Sequence, residues 1–133
     1  MEKYLSAYHR VRSYELDSFG HVNNAVFLNY LEFARMEYLL QRGLNLDSFR
    51  EWGAFPYVVN AEIQYKTPAK VHDRLEIRGI VSRWKKSSFA LSYSIYNQDD
   101  EVLVATATMT FAFVDGGGKL IPIPLPFKEK MAF

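Results

Sequence analysis

Between Asn24 and Arg42 the apolar residues Phe27, Leu31, Ala34 and Tyr38 recur at offsets of four, three and four, the period of an α-helix. Leu28, Leu39 and Leu40 put further apolar surface on other sides of the same segment. A helix apolar over most of its girth is expected to be wrapped by other structure rather than to lie on a surface. Asn23 or Asn24 is the expected cap at its start, and Gly43 ends it in the left-handed conformation. The segment LDSFREWG, residues 46–53, offers Asp47 and Ser48 as caps and predicts one short helical turn.

Almost everything else alternates with period two. A first strand is expected over residues 7–15, AYHRVRSYE, with Val11 facing inward, and four more over 57–66, 74–84, 87–97 and 102–114. In the fourth of these five strands Phe89, Leu91, Tyr93 and Ile95 share one face. The polar connection Gln98-Asp99-Asp100-Glu101 is short enough for a hairpin, Asp115 to Gly118 forms a turn, and the proline-spaced IPIPLP cannot be a central strand. The order of one strand, one long helix and four strands predicts an α+β chain in which a strongly curved, largely antiparallel sheet closes on one long helix. No repeat or linker divides residues 1–133, and with 49% hydrophobic residues they are expected to make one domain around one core.

Charge narrows the function classes. Sixteen Lys and Arg against 15 Asp and Glu leave no net field to attract nucleic acid or a membrane surface, so any phosphate recognition is local. The absence of cysteine removes disulfides, thiol nucleophiles and thiolate metal sites. The Met-Glu-Lys start holds no apolar run suited to a signal peptide or a span, which makes the cytoplasm the expected compartment.

The richest segment is YELDSFGHVNNAVFLNYLEFAR, residues 14–35, which joins the first strand to the helix and holds Asp17, Gly20, His21, Asn23, Asn24, Glu32 and Arg35. Its pattern, Asp-x-x-Gly-His-Val-Asn-Asn with Phe27 and then Glu-x-Ala-Arg, resembles the signature of the 4-hydroxybenzoyl-CoA thioesterase-like branch of the hotdog superfamily. YKTPAKVHDRLEI at 65–77 and the last two long strands resemble that family too. The resemblance implies the hotdog fold, a homodimer or homotetramer with sites at subunit interfaces, and hydrolysis of an acyl-CoA or acyl-carrier-protein thioester. It implies Asp17 as the catalytic carboxylate and the backbone N–H of Asn24, with that of Asn23, as the donors to the thioester carbonyl. No metal or redox cofactor is implied; coenzyme A enters only as part of substrate and product.

Physical chemistry points the same way. A helix N-terminus carries unpaired N–H donors and partial positive charge, which suit an oxyanion. Asp17, six residues before Asn23, is too far along the chain to cap the helix and is free to act as base for water or as nucleophile. Gly20 lets the loop turn tightly, and His21 is a candidate acid or base. Glu32 and Arg35, three apart on one face, are read as an ion pair. The basic turn Arg83, Lys85, Lys86 with Ser88 is the candidate contact for coenzyme A phosphates, seconded by Lys66, Lys70 and His72. Phe19, Phe27, Tyr30 and Phe55 are candidates for an acyl pocket, with Phe27 foremost. Three rivals fare worse: a dehydratase lacks its histidine segment, a metal hydrolase lacks a ligand set, and a non-catalytic acyl-CoA-binding module has no use for the carboxylate.

Overall fold

The computed structural model describes residues 3–133. Strand β1 (Leu5–Arg10) leads through a 3₁₀ turn (Ser13–Glu15) to helix α1 (Val26–Gln41) and the short α2 (Leu46–Trp52). Four strands follow, β2 (Phe55–Tyr65), β3 (Arg74–Trp84), β4 (Ser88–Asn97) and β5 (Leu103–Val114), and then α3 (Leu125–Met131). They make one five-stranded sheet in the order β1-β3-β4-β5-β2, antiparallel at every pairing. Register shifts at Val58/Asn60, Val81/Arg83 and Ile95/Tyr96 interrupt the ladders, the kind of irregularity that bends and twists a strand.

The alternation expected of β4 is observed: Phe89, Leu91, Tyr93 and Ile95 are all buried, with Ser92 and Ser94 between them less so. On β5 the inward set is Ala105, Ala107, Met109, Phe111 and Phe113, separated by threonines at 106, 108 and 110. Helix α1 packs on β1 and β3. Its buried face holds Phe27, Tyr30, Leu31, Ala34, Tyr38 and Leu39. Leu28, Phe33 and Leu40 remain exposed, so in a single chain the girth of the helix is only partly covered. Gly79 is where helix and sheet come closest. The Tyr38 ring lies over it, and the Tyr38 hydroxyl donates to Ile77 O at 2.5 Å.

Several boundaries differ from expectation for local reasons. β1 stops at Arg10, because Glu15 folds its carboxylate back onto the Arg12 N–H (2.7 Å) and turns residues 13–15 into 3₁₀ helix. Helix α1 starts at Val26 rather than Asn24, with Ala25 at the cap position and no side-chain cap. Its end is as expected: Gly43 has φ +73°, with Leu44 N–H bonded to Leu39 O and Gly43 N–H to Leu40 O. Helix α2 is capped by Asn45, whose side chain exchanges hydrogen bonds with Ser48, not by Asp47 or Ser48. The tail is not a strand, but it holds α3, for which the proline-spaced sequence gives no helical period. Pro126 fits the first turn of α3, where no intrahelical N–H is needed, and Phe127 and Met131 bury themselves in the core.

Candidate active site

Leu16 and Val22 form an isolated antiparallel bridge that closes the loop of residues 17–21. Inside it, Asp17 N–H donates to His21 O (2.7 Å) and Gly20 N–H to Asp17 O (3.1 Å). One carboxylate oxygen of Asp17, Oδ1, accepts from the N–H of Phe19 (2.8 Å) and of His21 (3.2 Å), the arrangement of an Asx-type turn. Gly20 sits at φ +81°, a conformation that costs glycine little. The second oxygen, Oδ2, has no hydrogen-bond partner among the described residues. Asp17 therefore fulfils the structural duty of a loop aspartate with one oxygen and leaves the other open.

The entrance to α1 is organised by Asn23. Its side-chain oxygen accepts from Ala25 N–H (2.9 Å) and its carbonyl from Val26 N–H (2.9 Å). Its own N–H is taken by Glu15 O (2.9 Å), so Asn23 is not a free backbone donor as expected but the residue that shapes the turn. Asn24 N–H has no acceptor among the described residues, and Tyr65 pins the same residue by donating its hydroxyl to Asn24 O (3.0 Å). A cleft of about 300 Å³ gathers Asp17, His21, Asn24 and Phe27 with Tyr65 and Lys66. Its two walls are tied where Val22 N–H donates to Ala69 O (2.8 Å). A second cleft, about 440 Å³, also touches His21 and adds Lys70, but not His72.

The basic turn lies elsewhere. Lys85 N–H bonds Ser88 O (2.8 Å), which places Arg83, Lys85, Lys86 and Ser88 at the Trp84 end of β3, whereas the Asp17 loop adjoins its Arg74 end through Val11 N–H and Asp73 O (2.9 Å). The strand between them spans about 30 Å. The expectation that this turn meets the mouth of the cleft is thus not met within one chain. The aromatic candidates also divide: Phe27 lines the cleft, Tyr30 is core, Phe55 lines a different cavity and Phe19 is 84% exposed. The Glu32–Arg35 pair forms, at 3.5 Å, away from Asp17.

Behind the loop stands a network that the sequence did not reveal. The Glu15 carboxylate accepts from the Tyr30 hydroxyl (2.9 Å) and the Arg12 N–H, and contacts His9 Nε2 at 3.0 Å. Burial alone would raise the Glu15 carboxyl, but the Arg12 N–H, the His9 imidazole and the Tyr30 hydroxyl outweigh it and hold it below the ordinary glutamate value of 4.5. Tyr30 is pushed above the usual tyrosine range by burial and by Glu15, and so stays a donor. A lowered native carboxyl contributes stability above the unfolded-state value, and that contribution is lost as pH falls through the native one. As pH falls through and below the ordinary glutamate value of 4.5, the parent is therefore expected to lose more stability than Glu15→Gln does. Urea unfolding of both proteins along that pH range tests it, and parallel curves would remove Glu15 from the account.

No three His, Asp or Glu side chains gather as a metal-binding set among the described residues, and no helix among them is long and apolar enough to cross a membrane. The family model of the thioesterase-like superfamily matches residues 11–131. The long-chain acyl-CoA thioesterase FadM of Escherichia coli is 38% identical over 109 residues, 80% of each chain. A chloroplastic acyl-acyl carrier protein thioesterase of Arabidopsis thaliana is 26% identical over 121 residues, 91% of this chain and 64% of that one. Among solved structures, a 1,4-dihydroxy-2-naphthoyl-CoA thioesterase from Synechocystis superposes with a TM-score of 0.89 over 97% of this chain and 96% of its own, at 22% identity, which speaks to the fold.

Proposed function

The chain belongs to the thioesterase-like superfamily and is a thioester hydrolase, and from that premise we propose that it cleaves an acyl-CoA thioester to free acid and thiol between Asp17 and the entrance of α1. The observation that carries the reading is that one cleft joins a carboxylate with a single uncommitted oxygen to a backbone N–H with no acceptor. Attack on the thioester carbonyl moves negative charge onto its oxygen, and the acceptor-free Asn24 N–H, just before the positive end of α1, would receive it. Two routes are open to Asp17 Oδ2. It can take a proton from water, whose oxygen bonds the carbonyl carbon as the C–S bond breaks and the thiolate leaves to be protonated. Alternatively it bonds the carbon itself, expels the thiolate and leaves an anhydride for water to cleave. Label on Asp17 after one turnover in ¹⁸O-labelled water establishes the second route, which the first cannot mimic, and hydroxylamine trapping of the acylated Asp17 detects that route where water cleaves the anhydride at the substrate's own carbonyl.

The sheet closing round α1 as the hotdog's central helix is part of this reading, supported by the fold it shares with the Synechocystis enzyme. So is assembly of two or four copies. Among the described residues strand β2 pairs only with β5, and it exposes Tyr57, Val58 and Val59 by 49–60%, an apolar edge that natural sheets rarely leave bare. Pairing β2 with its own copy about a twofold axis would bring the Phe55 end of one sheet, where the basic turn lies, toward the Tyr65 end of the other, where the Asp17 cleft lies. The turn at Arg83–Ser88 would then reach the substrate phosphates across the interface. Dilution through the dimer dissociation range should accordingly lower activity per chain; unchanged activity in monomer verified by light scattering would sink the shared site.

The thioester reading itself is tested by thiol release from acyl-CoA and acyl-carrier-protein substrates of aromatic, short and long chain. The 38% identical relative acts on long-chain acyl-CoA, which favours coenzyme A over a carrier protein as the thiol. Faster turnover of the carrier-protein thioesters would reverse that preference, and no turnover of either would defeat the assignment of the cleft. No cofactor beyond the substrate is required, and the cytoplasm is the expected setting.

A further inference from the structure

A larger cavity, about 560 Å³, lies toward the C-terminal half of α1, with α2, α3 and the start of β2 around it. Its walls are mainly apolar, with Met36, Leu39, Phe49, Phe89, Leu91 and Phe127 the main contributors. Glu32 and Arg50 sit toward the rim, exposing 69% and 71% of their side chains, while Arg35 is 19% exposed, paired with Glu32 and laid over the Phe111 ring. The size is that of a small-molecule site, and nothing in the loop chemistry of Asp17 uses it.

Helix geometry links this cavity to the cleft. At 100° per residue, Asn24, Leu28, Glu32, Arg35 and Leu39 fall along one stripe. Asn24 lines the cleft, while Glu32, Arg35 and Leu39 line the cavity. Leu28 stands between them, 44% exposed although it is apolar. Strand β2 spans the same interval, with Tyr65 at the cleft and Phe55 and Tyr57 at the cavity. A linear ligand whose carbonyl sits at Asn24 therefore has a path over Leu28 and past the Glu32–Arg35 pair into a mainly apolar chamber.

We propose that this chamber receives the distal part of a long, unbranched aliphatic acyl chain, and so makes the enzyme selective for chain length. The proposal rests on the thioesterase reading and deepens it. A rise of 1.5 Å per residue sets Glu32 about 12 Å and Leu39 about 22 Å beyond Asn24. An extended hydrocarbon advances about 1.25 Å per carbon, given carbon–carbon bonds of about 1.5 Å. Chains of about ten carbons thus reach the rim and chains of about eighteen reach the floor. Each methylene that passes from water to an apolar wall strengthens binding about fourfold, so the gain begins only once the chain is long enough to enter.

The test is a ladder of saturated acyl-CoA substrates from six to eighteen carbons, with kcat/KM measured for the parent and for Met36→Trp and Leu46→Trp. Each variant sets an indole at the chamber wall, and Leu46 is exposed enough that its substitution spares the core. Leu120→Trp, exposed and outside the chamber's lining, serves as the comparison. The parent should gain at least tenfold in kcat/KM between eight and sixteen carbons. At least one folded chamber variant should lose tenfold or more of its sixteen-to-six-carbon ratio, with Leu120→Trp keeping the parental one. A flat parental ladder, or folded chamber variants with the parental ratio, overturns the chamber's role while leaving hydrolysis standing. Absence of hydrolysis at every length overturns the thioesterase reading and the chamber with it.

Discussion

Asp17→Asn is expected to lower thiol release by roughly 10²–10⁴-fold while the protein melts where the parent does. The two halves of that expectation come from different oxygens. Asparagine retains a side-chain carbonyl able to accept the Phe19 and His21 N–H groups, so the 17–21 loop keeps its turn. What it loses is the charge and the second oxygen, the one with no partner in the loop. Asp17→Ala loses both, and should add loosening of the Asn24 entrance to the chemical defect. Comparing the two by thiol release, coenzyme A binding and melting temperature separates chemistry from scaffold. An Asn variant within a few-fold of the parent would falsify the catalytic role and leave Asp17 as a turn residue.

The largest effect on stability is expected at Gly79. A Cβ built there would lie 2.7 Å from Tyr38 Cζ and 2.8 Å from its hydroxyl oxygen, well inside contact distance. The ring cannot swing aside, because it is fully buried and its hydroxyl is held by Ile77 O. Gly79→Ala must therefore separate α1 from β3 or break that hydrogen bond in the core. Overpacking costs about 1–3 kcal/mol, and a buried hydroxyl and carbonyl left unpaired add about 1–3. A loss of about 2–6 kcal/mol is a large share of a domain's usual stability. Tyr38→Leu in the same chain should recover part of it, since the removed ring is what the methyl group strikes. Denaturant titration of the two single variants and the pair measures the coupling, and strictly additive costs would show that the close approach is not the cause.

The elements that were legible in the sequence are those whose period is set by burial on one side. Tyr38 and Leu31 mark the helix, and Phe89 through Ile95 mark β4, because each buries an unbroken row of side chains. β3, with its Ile77 and Leu75, was bounded to the residue. The misplaced boundaries lie where polar side chains decide. Glu15 bonding back to Arg12 ends β1 early, and Asn45 with Ser48 takes the cap from Asp47. For the site, the Gly-His-Val-Asn-Asn segment brought Asp17, Asn24, His21 and Phe27 together because all lie within one loop and the turn after it. Tyr65, His9 and Glu15 join from other elements, and no local pattern announces a contact made across 41 residues, as that of Tyr65 with Asn24 is. Charge alone singles out the basic turn at Arg83, and charge gives no information on which end of a sheet a turn occupies.

Helix α3 fills a hole that the sheet and the other helices cannot close. Phe127 is 1% exposed and contacts the rings of Phe49, Trp84, Phe89 and Phe113, which belong to α2, β3, β4 and β5. On the ribosome, residues 125–131 are synthesised after every strand. A nascent chain long enough to pair the whole sheet therefore still presents those rings to water, and with them a surface that holding chaperones recognise. Translation pauses or stop codons just before Leu125 should yield chains that have their secondary structure but stay with chaperones, aggregate or are degraded.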